Sequence, residues 1–227
     1  GCRLTEIAGI AFELDGTTLG QFEELCFPGH PIPPEVSALT GITDSMVAHA
    51  APPAEVIARF IEFADGAVLV AHNALFDGSF LAAELERAHQ ALPDARMVDT
   101  LDWARKALRL RDFRLATVAR YFHLRPKGQH RAALDAQTAM GVFLALAERA
   151  GAGDWRALTK VANPFPLSMC AVSAVQLPGE LSALPELIEA RARVNIEYDG
   201  GSQGELPRPV TPKGLTRIGP ASYLIAY

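Results

Sequence analysis

The stretch AVLVAHNALFD at residues 67–77 decides the predicted fold of this chain. Its first part, AVLVA, is a short continuous apolar run, which is typical of a strand buried on both faces of a sheet. Apolar residues at helical spacing follow from about residue 78 to residue 91, and Pro93 ends them. Asp77 therefore falls at the carboxyl end of a buried strand, where α/β proteins place their ligands.

Outward from this stretch, the pattern indicates an α/β domain with a mixed sheet. Residues 5–14 and 21–27 predict a β-hairpin that turns at Asp15-Gly16. The Pro-rich segment 28–34 predicts a loop, because proline disfavours both helix interiors and strand ladders. The domain, predicted as residues 1–150, ends near Gly151. Its remaining elements are a short strand and four helices, at residues 97–101, 53–64, 101–109, 114–123 and 132–150.

The C-terminal third predicts a second, smaller module. Glycine and proline punctuate residues 151–181, which is typical of a linker with one short helix. We expect the start of a small β-rich module, left incomplete, at residues 182–227. Periodicity predicts one helix and two strands within it, at residues 182–192, 193–199 and 222–227.

Composition narrows the class of protein. Hydrophobic residues make up 49% of the 227-residue chain and charged residues 21%, which allows a packed core and argues against disorder. The 3 cysteines are odd in number and have no CxxC spacing, which argues against a disulfide framework or a cysteine zinc site. No apolar run has the length of a membrane span. We therefore expect a cytoplasmic protein without a membrane partner.

Charge is distributed unevenly along the chain, whose formal net charge is -5. Residues 1–100 are strongly acidic, whereas residues 105–131 carry nine Lys and Arg against Asp112 alone. A protein that is acidic apart from one basic stretch could bind cations in one place and a phosphate backbone beside it. A solvated helix face is the alternative interpretation, and charge by itself leaves both open.

The polar residues of the motif HNALFD, at residues 72–77, can each be explained by a structural role as well as by a functional one. An aspartate directly before a helix, as predicted for Asp77, is a favoured N-cap. Asn73 suits a turn. His72 is interpreted as a packed, hydrogen-bonded residue at the strand end rather than as a ligand.

The motif HRAALD at residues 130–135 is equally ambiguous when taken alone. Asp135 falls near the first turn of a long predicted helix, where the helix dipole favours a carboxylate. The alternative is an i, i+4 ion pair between Arg131 and Asp135, with a surface histidine, His130, beside it.

Taken in order, five segments resemble the DEDDh 3′–5′ exonucleases, the family of the proofreading subunit of bacterial replicative polymerases. The resemblance covers about residues 3–150 and implies an RNase H-like fold. Its segments are PIPPEVSALTGIT (31–43), HNALFD (72–77), VDTL (98–101), FRLATVARYF (113–122) and HRAALDAQTA (130–139).

The resemblance implies a metal-dependent hydrolysis of single-stranded nucleic acid from its 3′ end, with DNA favoured over RNA. Four carboxylates would hold two Mg²⁺ ions, or Mn²⁺, about 3.5–4 Å apart. Asp77 and Asp135 would be two of these metal ligands, and His130 would be the general base, a role that suits imidazole at neutral pH. The residues lining the terminal nucleotide would be Leu39, Thr40, Gly41, Asn73 and Phe76.

One motif of the family is not found within the chain. The family's Asp-x-Glu pair, followed by Thr-Thr-Gly, would end a strand that directly precedes Gly1. The internal candidate, Glu13-Leu14-Asp15, has its acids in the reverse order and lies too close to Gly41. We therefore expect an N-terminally truncated chain, which lacks two of the four carboxylates and is not competent alone.

A second resemblance concerns the C-terminal module. ELIEARARVNIEYDG (186–200), ELPRPVTPKGL (205–215) and SYLIAY (222–227) resemble the first part of a WYL domain, a small Sm- or SH3-like barrel of bacterial regulators. Ser222 replaces the tryptophan of the name-giving triplet.

Two functions of different classes follow from these observations. The first is a 3′–5′ exonuclease that removes nucleotides from single-stranded DNA. The alternative is a non-catalytic nucleic-acid-binding or regulatory protein on a degenerate exonuclease fold. The sequence identifies no polymerase or other protein partner for either.

Overall fold

The computed structural model describes residues 3–124, 131–171, 177, 179–197, 207–218 and 221–226. The chain divides into two compact units, a larger one at Arg3–Ser168 and a smaller one from Met169 onward. None of the described helices is long and apolar enough to cross a membrane.

The larger unit contains five strands and eight helices among its described residues. The strands are β1 (Glu6–Phe12), β2 (Thr18–Leu25), β3 (Leu69–Ala71), β4 (Arg96–Asp99) and β5 (Phe165–Pro166). The helices are α1 (Pro34–Thr40), α2 (Asp44–Val47), α3 (Pro53–Phe63), α4 (Ala74–Arg87), α5 (Thr100–Ala107), α6 (Leu115–Tyr121), α7 (Ala132–Arg149) and α8 (Trp155–Val161).

The predicted N-terminal hairpin is confirmed. Strands β1 and β2 pair antiparallel, with Glu6 opposite Leu25. The turn is organised by Asp15, whose carboxylate accepts a hydrogen bond from the Thr17 backbone N–H at 2.8 Å. Helix α3 packs closely on this hairpin at Gly9, where an added Cβ would lie 2.9 Å from the Phe60 ring.

The mixed sheet predicted from the sequence is also confirmed. Strand β3 pairs in parallel with β4, and β4 pairs antiparallel with β5. The parallel register sets Ala71 opposite Asp99, so both strands end at the same edge of the sheet. Polar residues after the two strands are thereby brought together.

Helix α7 forms the centre of the hydrophobic core. It packs on β1, β3, α5 and α6. The ring of Phe143, on α7, makes edge-on contacts with Phe12 and Trp103, at centroid distances of 5.7 Å and 5.8 Å. One helix therefore supports the hairpin and the mixed sheet together.

The compact larger unit continues past Gly151, where the sequence predicted the domain to end. Leu158 and Ala162 of α8 belong to the same buried core as α7. Phe165 pairs with Met97 of β4. These contacts are made by a segment whose glycines and prolines resemble a linker, so local composition concealed them.

The predicted Pro-rich loop is confirmed at residues 28–33, and helix α1, which the sequence did not predict, follows it directly. The segment becomes helical at Pro34, and the Pro33 carbonyl accepts hydrogen bonds from the backbone N–H groups of Val36 and Ser37. Proline is favoured in the first turn of a helix, because its missing N–H has no partner to lose there. The proline that indicated a loop instead begins the helix.

The smaller unit contains α9 (Leu184–Glu189) and four strands among its described residues, β6 (Val194–Ile196), β7 (Arg208–Val210), β8 (Pro212–Ile218) and β9 (Ala221–Ala226). Strands β6 and β7 pair antiparallel, as do β8 and β9, and α9 packs on β8. The sequence predicted β6, β9 and α9 but missed β7 and β8. The predicted turn at Gly200-Gly201 lies outside the described residues.

Candidate active site

The site is built on the shared edge where β3 and β4 end. After β3 the chain passes through Asn73, whose left-handed backbone (φ 73) turns it directly into α4. Asparagine tolerates this conformation better than most residues. The Asp99 carboxylate accepts hydrogen bonds from the backbone N–H groups of Asn73 at 2.9 Å and of Leu101 at 2.8 Å. Asp99 therefore caps α5 and ties the two strand ends together.

Asp77 lies inside α4 rather than in front of it. The helix begins at Ala74, four residues earlier than the periodicity predicted, and Asn73 takes the cap position. The interpretation of Asp77 as an N-cap is therefore wrong. Its carboxylate belongs to the first turn of the helix, where the dipole favours negative charge.

The surroundings of Asp77 oppose its ionisation. The residue as a whole is exposed, whereas the protein around its carboxylate removes part of the solvent from that group. This desolvation, with the nearby charges of Asp99 and Asp135, raises the pKa of Asp77 to about 6. The structure thus brings Asp135 within electrostatic reach of Asp77, although 58 residues separate them in the chain.

Asp135 lies in the first turn of α7, as predicted, and its backbone N–H donates to the Arg131 carbonyl at 3.0 Å. The Arg131 side chain pairs with Glu6 and, more distantly at 3.6 Å, with Glu23. The guanidinium Nη2 lies 2.6 Å and the Nε 3.0 Å from Glu6 Oε1. The predicted i, i+4 pair is thus replaced by a contact with the first strand.

Glu6 is a residue that sequence reasoning missed. Its side chain is only 5% exposed. Besides Arg131, it accepts a hydrogen bond from the Ala132 backbone N–H at 2.7 Å, which caps α7 from another element. No local pattern could reveal it, because Glu6 and Ala132 are 126 residues apart.

His130, the expected general base, lies outside the described residues. It directly precedes Arg131 in the chain. The backbone contact that Glu6 makes nearest to it is with the N–H of Ala132, two residues later.

The LTG segment forms the end of α1. Gly41 adopts a left-handed conformation (φ 72), and its N–H donates to the Ser37 carbonyl at 2.8 Å. The Thr40 hydroxyl donates to the Val36 carbonyl at 2.8 Å, so it contributes to this helix end. Leu39 is 57% exposed. The approach of this segment to the carboxylates remains a prediction.

Phe76 presents an open aromatic surface next to Asp77. The side chain is 57% exposed, and its ring lies 5.0 Å from that of Phe80, centroid to centroid. Exposed aromatic rings that rest on protein are typical stacking surfaces for nucleic-acid bases.

His72 is confirmed as a packed residue of the strand end. Its Nδ1 lies 2.9 Å from the Thr100 hydroxyl and its Nε2 lies 2.8 Å from the Phe113 carbonyl oxygen. Burial lowers the pKa of His72 below its ordinary value. The Phe113 carbonyl accepts from Nε2–H, and the Thr100 hydroxyl, which contacts Nδ1, also donates to the Ala71 carbonyl at 3.3 Å.

The carboxylates at this edge of the sheet supply part of the ligand set that a hard divalent cation needs. Carboxylate oxygens are the ligands that Mg²⁺ and Mn²⁺ prefer, and the mutual repulsion of Asp77, Asp99 and Asp135 is relieved by a cation. Asp99 is already engaged by two N–H groups. Within the described ranges, no three His, Cys, Asp or Glu side chains are grouped closely enough to hold a metal ion. Asp77 and Asp135 thus fit as part of a ligand set.

Comparison with known proteins identifies the family to which the chain is similar. The exonuclease family model (RNase T) matches residues 2–143. A candidate bifunctional exonuclease/endonuclease of Mycobacterium tuberculosis is 40% identical over 151 residues, which cover 65% of this chain and 23% of that protein. The DNA polymerase III subunit epsilon of Treponema pallidum is 37% identical over 144 residues, 62% of this chain and 66% of that protein. The matched regions span less than two-thirds of each relative.

Solved structures show the same fold. Exonuclease X in complex with 5′ overhanging duplex DNA superposes with a TM-score of 0.54 at 25% identity, covering 70% of this chain and 89% of that one. Escherichia coli Exonuclease I in complex with a dA16 oligonucleotide has a TM-score of 0.58 at 17% identity, covering 93% of this chain and 48% of that one. Since the family model spans more than half of the chain and the fold agrees, this chain belongs to the exonuclease family.

Proposed function

We propose that this protein is a metal-dependent 3′–5′ exonuclease that removes nucleotides from the 3′ ends of single-stranded DNA. The observation that carries the proposal is that the carboxylates of Asp99 and Asp135 both lie within electrostatic reach of Asp77, whose pKa is raised first by desolvation and then by these two charges. Two like charges brought together at the edge of a sheet are costly without a cation. In an exonuclease fold, a cation at this position serves phosphodiester hydrolysis.

Each acidic residue then has a defined role. Asp77 and Asp135 would hold Mg²⁺, or Mn²⁺, through their carboxylate oxygens. When bound, the ions would supply positive charge against the developing charge of the phosphoryl group. His130 would remove the proton from the attacking water, with Arg131 and Glu6 holding the adjoining backbone.

The terminal nucleotide would be held by Leu39, Thr40, Gly41, Asn73 and Phe76. The exposed side chains of Leu39 and Phe76 offer apolar surface to a base or sugar. DNA is favoured over RNA as the substrate by the similarity to Exonuclease X, whose structure contains duplex DNA with a 5′ overhang.

The remaining metal ligands would come from a further strand. Among the described strands, β1 pairs only with β2 and β3 only with β4 in their respective sheets, while α7 packs on both β1 and β3. We propose that a strand N-terminal to β1, carrying the two missing carboxylates, pairs with these open edges. This arrangement would join the two sheets and complete the set of four acids.

The second unit is part of this proposal. We propose that residues 1–150, with the segment up to Ser168 that packs on them, act as the exonuclease domain, and that residues 182–227 begin a WYL-like module. The antiparallel pairs β6–β7 and β8–β9 support a small β-rich module. We further propose that the protein acts in the cytoplasm.

One observation favours a second candidate, a non-catalytic nucleic-acid-binding protein on the same fold. The described residues do not assemble three metal-ligating side chains in one place. Binding without hydrolysis needs no such set.

The decisive experiment follows the release of nucleotides from a 3′-labelled single strand by the full-length protein, with Mg²⁺, Mn²⁺ or a chelator. Asp135→Asn should lower the rate by roughly 100-fold or more, because it removes a carboxylate that would hold the cation stabilising the phosphoryl group. Asp65→Asn, at an exposed position beyond the end of α3, is the matched control and should leave the rate unchanged.

Two outcomes would contradict the exonuclease. Equal rates for Asp135→Asn and the wild type would remove Asp135 from the site. A protein that binds the strand but releases no nucleotide with either ion would favour the second candidate.

A further inference from the structure

A dense group of exposed cations lies on α5, α6 and the loop between them. We call residues 105–120 the basic segment; Asp112 is its only acid. Within the described residues, its only ion pair joins Lys106 to Asp102. Most of its charge is therefore not neutralised by the protein. Its cations are all exposed: Arg105, Lys106, Arg109, Arg111, Arg114 and Arg120.

The basic segment is attached to the edge of the sheet that carries the carboxylates. His72 bridges the Phe113 carbonyl, in the middle of the segment, and the hydroxyl of Thr100. Thr100 is fully buried and directly follows Asp99. The charges of both Asp99 and Arg105 also act on the His72 ring. The same histidine thus contacts the basic segment and the end of the carboxylate-bearing strand.

The loop of the basic segment is ordered by its own contacts. Asp112 accepts a hydrogen bond from the Arg114 backbone N–H at 3.1 Å. Hydrogen bonds from Thr117 and Arg114, and then the charges of Arg114 and Arg120, lower the pKa of Asp112. Apolar side chains on either side pack against the core, at Leu110, Phe113 and Leu115. The backbone is thereby anchored while the guanidinium groups face solvent.

We propose that the basic segment is the binding site for the phosphate backbone of the nucleotides upstream of the 3′ end, and that His72 is the residue that positions it. This inference rests on the proposed function, since it takes the Asp77–Asp135 site as the place of the 3′ nucleotide. In this proposal, the acidic residues and the neighbouring basic residues have different roles in binding the substrate. The acids would hold the metal ions, and the arginines would bind the phosphates that no metal neutralises.

Salt dependence of binding separates this site from a solvated surface. The affinity of a labelled oligothymidylate of roughly 16 nucleotides is measured by fluorescence anisotropy at several salt concentrations, with divalent ions chelated. In Arg111→Gln/Arg114→Gln, the slope of log affinity against log salt should fall by about 1.4, since each single-strand phosphate contact contributes about 0.7. Arg149→Gln/Arg156→Gln removes the same charge from exposed positions on α7 and α8 and should leave the slope unchanged.

Equal slopes in the wild type and the basic-segment variant would overturn the proposal. An equal decrease in both double variants would also overturn it, because the effect would then reflect net charge alone. No measurable binding of the wild type would do the same.

The kinetics of hydrolysis provide a second test of the role of the basic segment. With Mg²⁺, Arg111→Gln/Arg114→Gln should raise KM for the long strand several-fold and raise KM for a trinucleotide less, because a trinucleotide offers fewer upstream phosphates to the basic segment. An equal loss on both substrates would overturn the proposal. Absence of any hydrolysis combined with the expected change in slope would instead contradict the proposed function.

The role of His72 is tested separately. His72→Ala should lower the salt slope as the arginine variant does. His72→Gln, whose amide can still donate to the Phe113 carbonyl, should restore it. A wild-type slope in His72→Ala, or a failure of the glutamine to restore the slope, would overturn the positioning role.

Discussion

At the residue scale, Asp77 carries the clearest electrostatic signature of the site. Its ordinary pKa of 3.8 rises to about 6 in the folded chain, first through desolvation and then through Asp99 and Asp135. The folded protein therefore binds this proton more tightly than the unfolded chain does. A group of this kind makes stability fall as the pH rises between the two pKa values.

We therefore expect the free energy of unfolding of the metal-free protein to contain a contribution from Asp77 that is present below about pH 4 and lost by about pH 6. Asp77→Asn lacks this contribution, so its stability relative to the wild type should increase across that range. Urea unfolding at several pH values, with a chelator present, measures the difference. Parallel pH curves for the two proteins would show that the Asp77 carboxylate is not desolvated. Asp65→Asn serves as the control.

Glu6 is the second residue with a large expected effect. Glu6→Gln keeps an acceptor for the Ala132 N–H but removes the charge that pairs with Arg131. We expect a loss of about 2 kcal/mol in unfolding free energy, less than for a fully buried pair because the Arg131 side chain is partly exposed. Chemical denaturation checks this. Glu13→Gln, at an exposed position, should change stability by less than about 0.5 kcal/mol, and equal effects of the two variants would contradict the role of Glu6.

At the element scale, the close approach of α3 to β1 depends on Gly9. A Cβ at this position would lie 2.9 Å from the Phe60 ring, and Phe60 is itself held between Phe22 and Phe63. Gly9→Ala should therefore destabilise the protein by about 1–3 kcal/mol through overpacking. Gly153→Ala is the matched control, because no atom lies within 4 Å of its added Cβ. A difference of less than about 0.5 kcal/mol between the two variants, measured by thermal unfolding, would contradict this packing.

The elements that the sequence predicted well are those with a long apolar face. Helix α7 was predicted at 132–150 and occupies Ala132–Arg149. The start of α4 was predicted four residues late, because apolar periodicity begins only at Phe80 while the left-handed turn at Asn73 starts the helix at once. Helix α1 was missed, since proline signals a loop and a first helical turn alike.

At the scale of the whole molecule, α7 is the element that brings the parts of the site together. It packs on both the hairpin and the mixed sheet, and its first turn carries Asp135. The extension of the larger unit to Ser168 adds α8 to this core. The position of Asp135 relative to Asp77 is thus set by core packing.

The sequence by itself determined the α/β class, the hairpin, the main helices and the motifs that indicate an exonuclease, because each depends on neighbouring residues and on side-chain periodicity. Only the tertiary structure decided that Glu6 holds Arg131, that Asp99 joins two strand ends and that His72 anchors the basic segment. These contacts join residues far apart in the chain. These contacts form because of the way the sheets and α7 pack together, and this packing cannot be predicted from any short stretch of the sequence.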